Sequence, residues 1–453
     1  MKQYTRFSAQ ASLAIVGMHM SQMGLWQAVE RQVQIKQKVV RHRPIDKLKD
    51  AFINILAGGH GLVETNLRVR SDVALQRAFG RQTCAEQSTI SETLNACNAT
   101  TVTQMQAALR ELYRAHSQGY RHNYAATDQL LDIDMTGLTA GQQAEGATKG
   151  YFPGRRNRRG RQVGRVLASA YGEIVYEQLF AGNVQLEQSL IPLVIAAEDV
   201  LALTPERRAK TIIRADAGAG TDDDINWLLN RGYRLLVKVR NWRRINKLVQ
   251  SVQTWYPDPK VPERQVGWVT APFAYACATR QLAMRWLTKA GDWHYRVLVL
   301  NLSDLQLFAL AHRPFVTTPT PAQLLLAAVT AYDLRGGSVE TSFKGGKQGL
   351  GINKRNKRSF HAQAMLVYLA QLAYHTTLWL QRRLNEQATT FQAWGMRRMI
   401  RDLFHIPGQV CFDGQGHIRE VTLNRRHALA PPFVAAMTAT CARNGTHLNL
   451  GKI

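Results

Sequence analysis

Acid is scarce in this sequence. Across 453 residues, 58 Lys and Arg stand against 32 Asp and Glu, a net charge of +26. An excess this large points to a polyanionic partner, because each phosphate that a Lys or Arg neutralises releases counterions. Cysteine is scarce too. Cys84, Cys97, Cys277, Cys411 and Cys441 are scattered, odd in number and form no C-x-x-C pair. That argues against a disulfide framework and a structural zinc site, and a reducing cytoplasm is the natural setting. Long apolar runs are missing. The most apolar long stretch, 362–380, contains Gln363, Gln371 and His375 and reads as a buried helix rather than a membrane span. The short apolar run at 11–16 has no convincing cleavage site, so no signal peptide is expected. Internal repeats and low-complexity tracts are absent. What remains is an ordinary globular composition, 45% hydrophobic, in a chain long enough for several sizeable cores.

Residues 1–115 read as helices. Pro44 stands near one helix start and Ser71 is a candidate N-cap. Residues 87–94, rich in short hydroxyls, read as a recognition helix or equally as an ordinary surface helix. From about residue 126 the texture changes to strands. In 130–136 the acids alternate, so Asp132 and Asp134 face the same side of a strand. A buried strand does not usually spend two carboxylates on one side unless they bind something. Stretch 149–165 is Gly-rich and acid-free, and its Arg155, Arg156, Arg158 and Arg159 read as a phosphate-contacting loop.

A hairpin is expected over 162–180, a helix over 189–201, and a short apolar strand over 211–216 that ends in Asp216. Asp222, Asp223 and Asp224 then open a helix, where acids suit the positive dipole end, and 233–239 is another strand. Within 241–320 three segments alternate like strands, and Trp242, Trp268, Trp286 and Trp293 read as core residues. Residues 321–386 are helical. The C-terminal stretch 387–453 holds a hairpin near 410–423 and a last helix after Pro431 and Pro432.

The segment from Tyr332 to Lys347 reads Y-D-L-R-G-G-S-V-E-T-S-F-K-G-G-K, with Glu340 as an acid amid bases and glycines. One reading is a solvated ion pair on a helix. The other is a metal-binding carboxylate beside a surface that grips phosphates. On a helix, Glu340, Phe343, Lys344 and Lys347 share a face.

The order Tyr332, Arg335, Glu340, Lys347 resembles the Tyr-Arg-Glu-Lys signature of transposases of the insertion-sequence-four superfamily. The Arg-Gly followed by Glu and then Phe-Lys is most like its thirteen-eighty group. This chain has one extra residue between Arg335 and Glu340. On an unbroken helix that residue turns Arg335 away from the Glu340 face. Either the glycines let the backbone bulge, or the helix starts near Ser338. Asp134-Met135-Thr136 and the stretch 214–218 around Asp216 resemble the other two catalytic blocks of these enzymes, and the likeness runs over roughly residues 70–440.

The resemblance implies an α/β fold. A ribonuclease-H-like catalytic core (116–240 and 321–386) would carry a β-rich insertion (241–320) and follow a helical N-terminal DNA-binding region (1–115). Asp134, Asp216 and Glu340 would be the catalytic carboxylates and metal ligands, with Asp132 a rival for the first position. Phosphodiester cleavage needs a nucleophile and charge neutralisation at both in-line oxygens, which two Mg²⁺ held by three acids supply; Mn²⁺ would substitute. Tyr332, Arg335, Lys344 and Lys347 would contact DNA, with the loop arginines. The expected activity is cut-and-paste transposition of an insertion sequence on double-stranded DNA, its terminal repeats and its target, by a synaptic homodimer in a prokaryotic cytoplasm, near the nucleoid and with no membrane partner. The competing expectations are a nuclease of the same fold and a catalytically inactive, domesticated DNA-binding protein.

Overall fold

A computed structural model describes residues 4–152, 158–443 and 445–453. It divides the chain into two compact units. The first comprises Met1–Ser117, Leu138–Thr148 and Phe343–Ile453, and the second comprises Gln118–Gly137 and Lys149–Ser342.

The second unit is a mixed α/β structure. Its elements run β1 (Gln129–Thr139), β2 (Arg159–Ala168), β3 (Glu173–Ala181), α1 (Leu186–Leu201), β4 (Thr211–Ala215), α2 (Asp222–Asn230), β5 (Arg234–Lys238), α3 (Trp242–Gln250), β6 (Gln265–Trp268), β7 (Arg280–Leu287), β8 (Trp293–Leu300), α4 (Asp304–Leu310) and α5 (Pro321–Asp333). The strands lie side by side in the order β3, β2, β1, β4, β5, β8, β7, β6. β1, β4 and β5 are parallel, while β2–β3 and β5–β8 are antiparallel.

Local sequence explains the pieces. The strand 211–215 is wholly buried, as its run of Ile and Ala requires. Thr221 caps α2 by accepting from Asp224 N, and the three aspartates occupy the first turn of that helix. Gly164 on β2 lets α1 lie close, because a Cβ there would meet Leu193 at 2.7 Å. Helix α5 is capped by Thr320 and opened by Pro321. Its Leu325, Ala328 and Val329 pack in one core cluster with Leu236, Leu298 and Leu300 of the sheet. Burying each such leucine contributes about 1.5–3 kcal/mol, and the cluster fixes where the C-terminal end of α5 arrives.

In 241–320, β6, β7 and β8 extend the same sheet through β5, and α3 and α4 lie beside them. One expectation needs correction here: the tryptophans of this stretch are not all core residues. Trp268 and Trp286 are partly buried against the cluster, but Trp242 is 66% and Trp293 39% exposed. Trp293 is held by the Arg285 guanidinium, which lies 4.3 Å from its ring and 4.2 Å from that of Trp255, so cation–π stacking replaces burial.

The first unit is helical around Phe360–Asn385, a 26-residue helix buried along most of its length. Helices Pro44–Leu56, Gln87–Asn95 and Ala99–His116 pack against it. A four-stranded sheet completes the unit, in the order Tyr4–Ser8, Gly408–Phe412, Ile418–Asn424, His447–Gly451. The reading of 1–115 as helical is therefore corrected at its start: Tyr4–Ser8 is a strand, antiparallel to Gly408–Phe412. Helix Gln87–Asn95 has much of its hydroxyl surface engaged, since Thr93 donates to Gln37 and Ser91 accepts from Lys357. Among the described residues, no helix is long and apolar enough to cross a membrane.

Candidate active site

The site grows from one step of strand register. In the parallel pair β1–β4, Asp132 stands opposite Arg214 and Ile133 opposite Ala215. Side chains alternate along a strand, so the next row on the Asp132 face is Asp134 with Asp216. The first row is closed. Arg214 meets Asp132 in a bidentate pair, Nε to Oδ1 at 2.6 Å and Nη2 to Oδ2 at 2.7 Å, and both side chains are buried. Arg214 also donates to the Ala331 carbonyl, which ties the end of α5 to the sheet.

The second row is open. Asp134 Oδ1 accepts from the Met135 amide at 2.8 Å. Burial pushes the Asp134 carboxyl up to about 6; Arg335 opposes this, and Asp216 and Glu340 add to it. Asp216 accepts from Gly218 N at 2.8 Å and so caps the short turn Ala217–Ala219. The chain then bends past the end of β5. A Cβ at Gly220 would sit 1.8 Å from the Lys238 carbonyl oxygen, so this turn requires glycine.

Glu340 reaches the same place by an irregular helix. After α5, residues Gly336–Glu340 form a π-helical turn, followed by the helix Thr341–Gln348. The wider turn absorbs the one extra residue, and Arg335 and Glu340 meet across it, Nη1 to Oε1 at 2.9 Å. Such turns recur at functional sites. Ser342 anchors the segment: its hydroxyl donates to the Val339 carbonyl at 2.7 Å and accepts from Arg165 Nη1 at 2.9 Å. Arg165 in turn forms a buried cross-strand pair with Glu177.

Arg335 sits among the acids. Its Nη2 is 2.9 Å from Asp134 Oδ2 and 4.0 Å from Asp216 Oδ2, and the side chain is only 7% exposed. Burial works against its charge, but Asp134, Tyr332 and Asp216 outweigh that and hold it above the ordinary arginine value. Beneath lies Tyr332, buried, with a hydroxyl that has no hydrogen-bond partner. Lys238 packs 5.1 Å above the Tyr332 ring. Burial lowers the Lys238 ammonium below its usual range, with Asp216 opposing.

The family model described as Transposase DDE domain group 1 matches residues 5–438. The chain belongs to this DDE transposase family. It is a DNA transposase. No curated protein matches it. Seven chains of solved structures do. One is a cryo-EM structure of a piggyBac transposase synaptic complex with hairpin DNA, 12% identical, with 89% of this chain and 82% of that one covered and a TM-score of 0.46.

In the transposase, Asp134, Asp216, Glu340, Arg335 and Tyr332 come together in the second unit. Lys344 and Lys347 lie on the helix Thr341–Gln348, Lys344 exposed and Lys347 half-buried. Arg158 is exposed and Arg159 begins β2, whereas Arg155 and Arg156 lie outside the described residues. Sequence reasoning missed Lys238. The signal was available, because it closes the apolar strand beside the one that ends at Asp216. Ser338, within the π-helical turn, has a buried hydroxyl with no hydrogen-bond partner.

DDE transposases use divalent metal ions. Three carboxylates are the hard oxygen donors such ions take. As arranged here, however, the acids converge on a guanidinium. Among the described residues, no group of three or more His, Cys, Asp or Glu could hold an ion. The set in this conformation fits Arg335 and does not fit a metal.

Proposed function

We propose that the transposase moves an insertion sequence by cut-and-paste, through strand cleavage and then strand transfer, and that it is of the insertion-sequence-four type, most like the thirteen-eighty group. The strand order β3, β2, β1, β4, β5 supports a ribonuclease-H-like core, to which 241–320 adds its own strands. Asp134, Asp216 and Glu340 are the catalytic carboxylates in this reading and would hold two Mg²⁺, for which Mn²⁺ would substitute. The observation that carries it is the open row: Asp134 and Asp216 stand one residue beyond the last paired row of parallel strands, with Glu340 joined to Asp134 through Arg335. Asp134 is preferred to Asp132 because Asp132 is spent on Arg214. Finding three acids gathered beside the end of β4 favours an active enzyme over an inactive DNA-binding protein.

The DNA partners are the terminal repeats and the target duplex. Tyr332, Arg335, Lys344 and Lys347 would contact the cleaved end, and Arg155, Arg156, Arg158 and Arg159 would take backbone phosphates. Residues 1–115 would contribute DNA binding. Two copies would assemble at paired ends, in a prokaryotic cytoplasm.

The test is a gel assay of the purified protein, with Mg²⁺, on DNA carrying the flanking ends of its own gene. Breaks confined to those ends, absent with Asp216→Ala, are expected. Sequence-independent degradation would make the protein a nuclease, and binding without cutting would make it an inactive binder.

A further inference from the structure

The carboxylates proposed to take cations already hold one. Arg335 Nη1 donates to Glu340 at 2.9 Å, and its Nη2 lies 2.9 Å from Asp134. Only the Glu340 contact has hydrogen-bond geometry, since Nε and Nη2 of this buried side chain find no hydrogen-bond partner. Charge therefore holds the guanidinium here more than directed hydrogen bonds do. A buried guanidinium left with unused donors would otherwise be costly. Ser342 and Arg165 pin the turn from outside the cluster, so Arg335 is delivered by the backbone rather than by a chance rotamer.

Given the extra residue, the delivery depends on the shape of the turn. In a regular helix, five residues turn the chain about 140° past one full turn, and Arg335 would face away from Glu340. In the π-helical turn Gly336–Glu340, positions five apart come back into line. Thr341 Oγ1 accordingly donates to the Gly336 carbonyl, five residues earlier, at 3.1 Å.

We propose that Arg335 is an internal counter-ion that closes the acid set against divalent metal in the DNA-free transposase. Metal enters only when the guanidinium leaves, because a dication and a guanidinium cannot occupy the same three carboxylates. This rests on the reading that Asp134, Asp216 and Glu340 are metal ligands.

The experiment is titration of the DNA-free protein with Mn²⁺, with free ion followed by electron paramagnetic resonance and folding by thermal melting. Arg335→Gln removes the charge and should bind Mn²⁺ at least tenfold more tightly than the unaltered protein, about 1.4 kcal/mol. Arg335→Met likewise removes the charge but keeps a long side chain in the same buried space. It should tighten binding as well. Equal or weaker affinity in Arg335→Gln overturns the proposal. If that variant does not melt cooperatively, Arg335→Met decides, and unchanged affinity there overturns the proposal. Asp216→Asn added to the tight-binding variant should abolish the gain. If the gain persists, it is the assignment of the acids as metal ligands that fails, not the counter-ion geometry.

Discussion

Asp132 and Arg214 face each other across the parallel pair β1–β4 and close on one another at 2.6 and 2.7 Å, both out of solvent. This neutral row lies directly before the open row of Asp134 and Asp216. The same strand face thus carries one acid closed in a buried pair and one beside the open row. Breaking a buried pair from one side leaves an uncompensated charge, which costs about 3–5 kcal/mol. Asp132→Ala should lower the unfolding free energy by that amount, read from the denaturant midpoint. Asp134→Ala leaves Arg335 paired with Glu340, so it should lower the midpoint less and cut no DNA. The reverse pattern would transfer the catalytic role to Asp132.

Glu340 is the outermost acid, with its side chain 57% exposed. It also gives the buried Arg335 guanidinium its hydrogen bond, whose loss costs about 1–3 kcal/mol. Glu340→Ala should therefore fold with a lowered melting temperature and still bind end DNA in gel-shift assays while losing metal-dependent cleavage. Normal cleavage by this variant would remove Glu340 from the catalytic set.

Much of this site is written locally in the sequence. Alternation in 130–136 sets Asp132 and Asp134 on one side, and the apolar run 211–215 ends the strand at Asp216. The spacing from Tyr332 to Lys347 marks the third segment, but it left two backbones open, a bulge or a later helix start. Both keep Glu340 on a helix, and only tertiary anchors such as Ser342 and Arg165 select the π-helical turn. Non-local pairing was not legible. Tyr4–Ser8 joins Gly408–Phe412 from the other end of the chain, and no local pattern near residue 4 names that partner. The exposure of Trp242 was hidden for a similar reason, because a tryptophan reads as core until its neighbours are known.

The Tyr332 hydroxyl is buried without a hydrogen-bond partner. Removing an unpaired buried polar group is neutral or stabilising. Tyr332→Phe should thus melt at or above the normal temperature in the DNA-free protein. If the hydroxyl contacts an end phosphate during reaction, the same change removes a hydrogen bond to a charged group, about 1.5–3 kcal/mol. Cleavage then slows by roughly tenfold or more. Unchanged cleavage would confine Tyr332 to packing beneath Lys238.

The basic stretch around β2 should act on affinity and not on sequence choice. Arg155, Arg156, Arg158 and Arg159 stand without an acid among them. Replacing all four with alanine should weaken binding to specific and random duplexes alike. The slope of log affinity against log salt should become shallower by about 0.9 for each phosphate that is no longer neutralised. An unchanged slope would leave these arginines as solvated surface.

A substitution at Lys347 would test end recognition apart from folding. It lies half-buried on the helix Thr341–Gln348, roughly two helical turns beyond Glu340. A lysine grips phosphate as a point charge and reads no base. Lys347→Ala should still melt cooperatively and keep the Mn²⁺ affinity of the parent protein. It should forgo one charge-assisted hydrogen bond to phosphate, about 1.5–3 kcal/mol, and so slow cleavage by roughly tenfold or more. The comparison that matters is intact against precut ends. A lysine that holds the end before the break slows the intact substrate, whereas one that holds the freed strand slows transfer from precut ends. Normal rates on both would make the helix an ordinary support for Glu340.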